Sequence, residues 1–91
     1  MNTQVLKIFR ALSDPTRVKM VQGLLLSKEV SCADLSKKFS LSQPTLSHHF
    51  SKLADAKILK VRKVRTSHFY SIDKNNLRKL GLNIEKILMN N

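Results

Sequence analysis

The chain runs to 91 residues and carries 17 Lys and Arg against 6 Asp and Glu, a formal net charge of +11. That length holds one domain, residues 1–91, with a modest core, and the charge calls for a polyanionic partner, either nucleic acid or an acidic membrane surface. A single cysteine, Cys32, excludes an internal disulfide and suits a reducing compartment.

At the N-terminus, MNTQVLKIFRAL is interrupted by Lys7 and Arg10 and so lacks a signal-peptide core. No apolar run approaches the roughly 20 residues of a membrane span, and a cytoplasmic location is expected. Val5, Ile8, Phe9 and Leu12 recur at helical spacing and predict a first helix over 3–12. Asp14 can cap a second helix whose first turn tolerates Pro15. That helix runs to about Leu26, with Val18, Val21, Leu24 and Leu25 facing inward. Ser31 caps a third helix, Asp34 completes an approximate capping box, and Leu35 and Phe39 are its apolar face. After the polar break Ser40-Leu41-Ser42, Ser42 caps a fourth helix that carries Pro44 in its first turn. The period then changes. ILKVRKV (58–64) alternates apolar with basic residues and HFYSI (68–72) is aromatic and β-branched, which predicts a hairpin around Arg65-Thr66-Ser67. Leu77, Leu80, Ile84, Ile87 and Leu88 predict one C-terminal helix. The expected fold is therefore mainly α with a small β-hairpin.

A helix, a short turn and a second helix with a polar N-terminus make a helix-turn-helix, whose second helix lays its early side chains in the major groove. At about 100° per residue, Leu46, Phe50 and Leu53 form the buried stripe of that second helix. His48 then points into solvent, on a face shared with Gln43, Thr45, Ser47, Ser51 and Lys52, all able to address bases or phosphates. A plain solvated surface is the alternative for that face. His49 lies on the shoulder of the core and is expected to pack and hydrogen-bond within the domain. Neighbours on a helix do not face each other, and neither histidine has a good ligand three or four residues away, so the pair is no metal site. Lys60, Arg62, Lys63, Arg65 and His68 crowd the hairpin with no acid between them, which a DNA backbone or narrow minor groove would satisfy; a merely solvated charge run is the alternative. Paired carboxylates, nucleophile–base spacing and a Gly-rich phosphate loop are all missing, so no enzyme is expected.

ALSDPTRVKMVQGLL, then VSCADLSKKFSLSQPTLSHHFSKLADAKIL, then HFYSI resemble the ArsR-type (arsenic-repressor-like) winged-helix transcription regulators over nearly the whole chain. The resemblance implies a homodimer built on the first and last helices, here Val5, Ile8 and Phe9 with Leu77, Leu80, Ile84, Ile87 and Leu88. It also implies a repressor of a pseudo-palindromic operator in double-stranded DNA. Positions matching Gln43, Pro44, Thr45, Ser47 and His48 would face the major groove, and those matching Arg62, Lys63 and Arg65 would belong to the wing. The chain departs from the family's metal sensors. Where these carry Cys-x-Cys, Ser31 and Ala33 stand on either side of Cys32, and from Asn75 onward there is no His and only Glu85 as an acid. No metal or cofactor is therefore expected, and Cys32 reads as a small core residue. A metal- or redox-responsive sensor repressor acting through Cys32 or an unrecognised site, and an amphipathic C-terminal helix docking on a protein or anionic membrane, are the competing readings. An effector, protein or small molecule, is left open by the residues. At the wing tip the family often has Gly, which Val64-Arg65-Thr66-Ser67 lacks.

Overall fold

The computed structural model describes residues 2–89. In chain order the elements are α1 (Thr3–Ala11), α2 (Pro15–Leu25), β1 (Val30–Ser31), α3 (Cys32–Phe39), α4 (Gln43–Asp55), β2 (Leu59–Val64), β3 (Ser67–Ile72), α5 (Lys74–Lys79) and α6 (Ile84–Met89). Short polar side chains start most of the helices by accepting otherwise orphaned backbone N–H groups. Asp14 accepts from the Arg17 N–H at 2.9 Å, Ser31 from Asp34 at 3.2 Å, Ser42 from Thr45 at 3.3 Å and Asp73 from Asn76 at 3.2 Å. The predicted caps at Asp14, Ser31 and Ser42 are thus all in place. Between α3 and α4 the chain turns through Ser40, which takes a left-handed φ of 52°. The Ser36 hydroxyl donates to the Leu41 carbonyl at 3.2 Å and braces that turn.

Leu46, Phe50 and Leu53 are buried on α4, as their angular spacing requires, and Phe50 stacks on Tyr70 with ring centroids 4.1 Å apart. Around this pair pack Met20, Val21 and Leu24 of α2 and Leu35 of α3, with Ile58 just ahead of β2. Met20 takes the inner position expected of Val18, which is only half-buried.

Three features differ from the sequence expectation. The hairpin is part of a three-stranded antiparallel sheet in the order β1-β3-β2, with Val30 opposite Tyr70 and Ser31 opposite Phe69. A two-residue strand has no alternation to detect, and only pairing creates it. The wing turn is also tight: Val64 pairs with Ser67, and Arg65 adopts φ 57° where a glycine would have been at ease.

The C-terminal segment is two helices, not one. Gly81 sits at φ +76°, its N–H donates to the Arg78 carbonyl at 2.9 Å, and the Leu82 N–H donates to the Leu77 carbonyl at 2.9 Å. This pair of bonds is a Schellman cap, which ends α5 and lets Leu82 fold back on the core. An ion pair between Lys74 and Glu85 at 3.0 Å joins α5 to α6, and the Gln22 amide donates to the Leu88 carbonyl at 2.8 Å, tying α6 to α2.

That break redistributes the apolar stripe expected to form an interface. Ile8, Leu77 and Ile84 are 0%, 1% and 5% exposed within the single chain, so they are core residues with no surface to offer a partner. Val5, Leu80 and Leu88 are half-buried, whereas Phe9 and Ile87 stay exposed, together with Leu6 and Met89.

Candidate nucleic-acid interface

The first turns of α4 are held by their cap. The Ser42 hydroxyl accepts the Thr45 N–H and donates to the Thr45 hydroxyl at 2.9 Å, which fixes the Thr45 rotamer at the outer surface. Gln43, Pro44, Thr45, Ser47, His48, Ser51 and Lys52 are all exposed, because Leu46, Phe50 and Leu53 anchor the opposite side of the helix. Several of these side chains carry hydrogen-bonding groups, and none is buried.

His49 behaves as a shoulder residue with one difference. It is half-buried, with Nδ1 4.0 Å from the Asp14 carboxylate, but Nδ1 makes no hydrogen bond. The expected intradomain hydrogen bond is absent at that atom, because 4.0 Å is beyond hydrogen-bonding distance. The Arg17 N–H, helped by the charges of Arg17 and His49, holds the Asp14 carboxyl below its ordinary value. The His48 ring meets His49 edge-on at 5.9 Å and itself faces outward.

Every residue from Lys60 to His68 is exposed. Register divides them between two faces. Leu59, Val61 and Lys63 oppose Ile72, Tyr70 and His68, so Lys63 and His68 lie on the sheet face that packs Tyr70 against α4. Lys60, Arg62 and Val64 oppose Ser71, Phe69 and Ser67 on the reverse face, and Arg65 forms the tip. Register therefore puts Lys63 and His68 on the α4 side of the sheet and Lys60 and Arg62 on the other, with Arg65 at the tip that joins them.

Nor is the hairpin free of acid. Glu29, just before β1, takes Arg62 in a two-point grip, with Nε donating at 2.9 Å and Nη2 at 2.7 Å to its two carboxylate oxygens. The guanidinium also lies 5.0 Å above the ring of Phe69, its cross-strand neighbour. Hydrogen bonding from Arg62 holds the Glu29 carboxyl below its ordinary value, and Arg62 is raised in return. Glu29 went unseen in the sequence because its partner is 33 residues away and no periodic pattern joins them.

Cys32 is a free, half-buried thiol at the start of α3, packed against the core. Burial, and then the neighbouring Cys32, push the Tyr70 hydroxyl above its ordinary pKa. Among the described residues no three His, Cys, Asp or Glu side chains gather as a metal site would need, and no helix is long and apolar enough to cross a membrane.

The family described as "Helix-turn-helix domain" matches residues 12–62. The arsenical resistance operon repressor of Staphylococcus xylosus is 36% identical over 80 residues, covering 88% of this chain and 76% of that protein. The chain belongs to the ArsR-type winged helix-turn-helix family of transcriptional regulators. In this ArsR-type chain α3 and α4 are the helix-turn-helix, β2 and β3 are the wing, and the function is DNA-binding transcriptional regulation. The fold agrees with HlyU from Vibrio cholerae (TM-score 0.78, 24% identity, 96% of this chain and 94% of that one). It also agrees with a homodimeric winged helix-turn-helix DNA-binding domain from Mycobacterium bovis (TM-score 0.74, 19% identity, 85% of this chain and 70% of that one). Against three other curated regulators the ArsR-type chain spans 58% to 63% of their length.

Proposed function

We propose that residues 1–91 act as a single winged helix-turn-helix domain that assembles as a homodimer and represses transcription from a pseudo-palindromic operator in the cytoplasm. The observation that carries this reading is the exposed polar row on α4, set by the Ser42 cap and by the buried Leu46, Phe50 and Leu53 on the opposite side. Two such helices, related by a two-fold axis, enter successive major grooves about 34 Å apart. Gln43, Thr45, Ser47 and His48 then meet base edges, while Pro44 sets the helix start close to the backbone. Ser51, Lys52, Lys63, Arg62 and Arg65 neutralise or bond phosphates, and occupancy of the operator blocks RNA polymerase. Support for the dimer comes from Leu6, Phe9, Ile87 and Met89, apolar side chains left exposed on the terminal helices that a second copy would cover. The Mycobacterium bovis domain with this fold is itself homodimeric.

The test is a titration of genomic fragments selected by the protein, run beside random duplex. Gln43→Ala and Ser47→Ala should reduce the preference for the selected fragment by about tenfold or more, the range of one lost base contact. Arg65→Ala and Lys63→Ala should weaken binding to both duplexes alike and flatten the log–log salt slope by about 0.9 per lost phosphate contact. The reverse assignment would overturn the proposal.

A further inference from the structure

The grip of Glu29 on Arg62 spans the sheet. Glu29 stands beside β1 at one edge, Arg62 lies on β2 at the other, and β3 runs between them. Adjacent strands are about 4.8 Å apart, so the two side chains reach towards each other over roughly 10 Å of sheet. Phe69, opposite both Ser31 and Arg62 in register, forms the platform under the guanidinium.

The geometry of the grip matters. Nε and Nη2 form the side-on edge of a guanidinium, and Glu29 occupies both with one hydrogen each. Three of the five N–H donors remain, two on Nη1 and one on Nη2. Two of them, one on each Nη, form the end-on fork, which suits the bidentate geometry of a phosphate. Among the described residues no acceptor takes any of the three, and the Arg62 side chain is 59% exposed. The carboxylate on one edge and the ring beneath restrict the rotamers of a long side chain before any ligand arrives.

We infer that Glu29 is a positioning residue for DNA binding: it holds Arg62 side-on so that its end-on fork is presented, already ordered, to a backbone phosphate. The inference rests on the DNA-binding reading above. It runs against simple electrostatics, in which an acid beside a polyanion only repels it and its removal tightens binding. The two accounts differ in sign.

The experiment measures affinity for a fluorescent duplex of about 30 base pairs of arbitrary sequence, since a phosphate contact is independent of sequence. Glu29→Ala should weaken binding about two- to tenfold per wing, the cost of ordering one long side chain on contact. Arg62→Ala should weaken it further and lower the salt slope by about 0.9 per wing. In an Arg62→Lys background the ammonium has no side-on edge to hold, so adding Glu29→Ala should leave affinity unchanged or raise it. Glu29 is exposed, and a thermal melt of each variant separates loss of binding from loss of fold.

If the wild-type chain fails to bind any duplex, the DNA-binding reading fails and takes this inference with it. If the wild type binds and Glu29→Ala binds equally or more tightly, Glu29 is only a repelling charge and the inference is overturned. Weaker binding by Glu29→Ala, with a salt slope unchanged in Arg62→Ala, overturns it equally, because the pair is then a brace within the sheet.

Discussion

Substituting Gly81 by alanine tests the break between α5 and α6 through the sign of the effect. If Leu77 to Leu88 were one helix, as their spacing suggests, alanine at 81 would stabilise it by about 1 kcal/mol over glycine. In the structure Gly81 stands at φ +76°, and a β-carbon added there would meet nothing within 4 Å, so sterics from neighbouring groups do not enter. The effect is purely backbone. A left-handed conformation costs an L-residue about 1–2 kcal/mol, and restriction of the unfolded chain by alanine returns about 0.4–1 kcal/mol. The net is a destabilisation of about 1 kcal/mol. For a domain of this size that lowers Tm by about 4–8 °C. Thermal denaturation followed by circular dichroism, at one protein concentration for both chains, reads the change. A Tm that rises would refute the Schellman cap and restore the continuous helix.

Lys57 provides the converse. It occupies the equivalent cap position after α4, at φ 64°, with the Lys57 N–H donating to Ala54 at 3.0 Å and the Ile58 N–H to Leu53 at 3.1 Å. Lys57→Gly should therefore stabilise the protein by about 0.5–1 kcal/mol, visible as a higher denaturant midpoint with unchanged m-value. Ile87→Asp places a charge on an exposed apolar position of α6; static light scattering should then return the 10.4 kDa single chain where the wild type gives about twice that mass. Asp14 has a depressed pKa in the folded state, so its ionised cap contributes stability above the ordinary carboxylate range and loses it as pH falls through the folded value. Asp14→Asn keeps a cap without the charge, and its stability difference from wild type should shrink towards zero as pH falls below the ordinary carboxylate range and through the lowered folded value. A difference independent of pH would count against an ionised cap.

The parts of the candidate site that could be read from residues alone are those governed by neighbours within one turn. Ser42 caps α4 whatever surrounds it, and the spacing of Leu46, Phe50 and Leu53 dictates that Ser47 and His48 face outward. The glycine that breaks the C-terminal segment was legible too, since glycine after a run of helix formers is a stop signal. Apolar spacing masked it, because Leu77, Leu80 and Ile84 suit one helix as well as two.

Local physics, then, determined the helix faces, three N-caps, the helix-turn-helix and the basic hairpin, because each depends on bonds or angles between residues a few positions apart. Tertiary packing alone decided which apolar residues became core: Ile8, Leu77 and Ile84 disappear inside while Phe9 and Ile87, equally apolar, remain on the surface. It also created β1 by pairing it with β3, and it brought Glu29 to Arg62. Contacts between distant segments arise from chain topology, and no periodicity along the chain encodes which distant partner a side chain will meet.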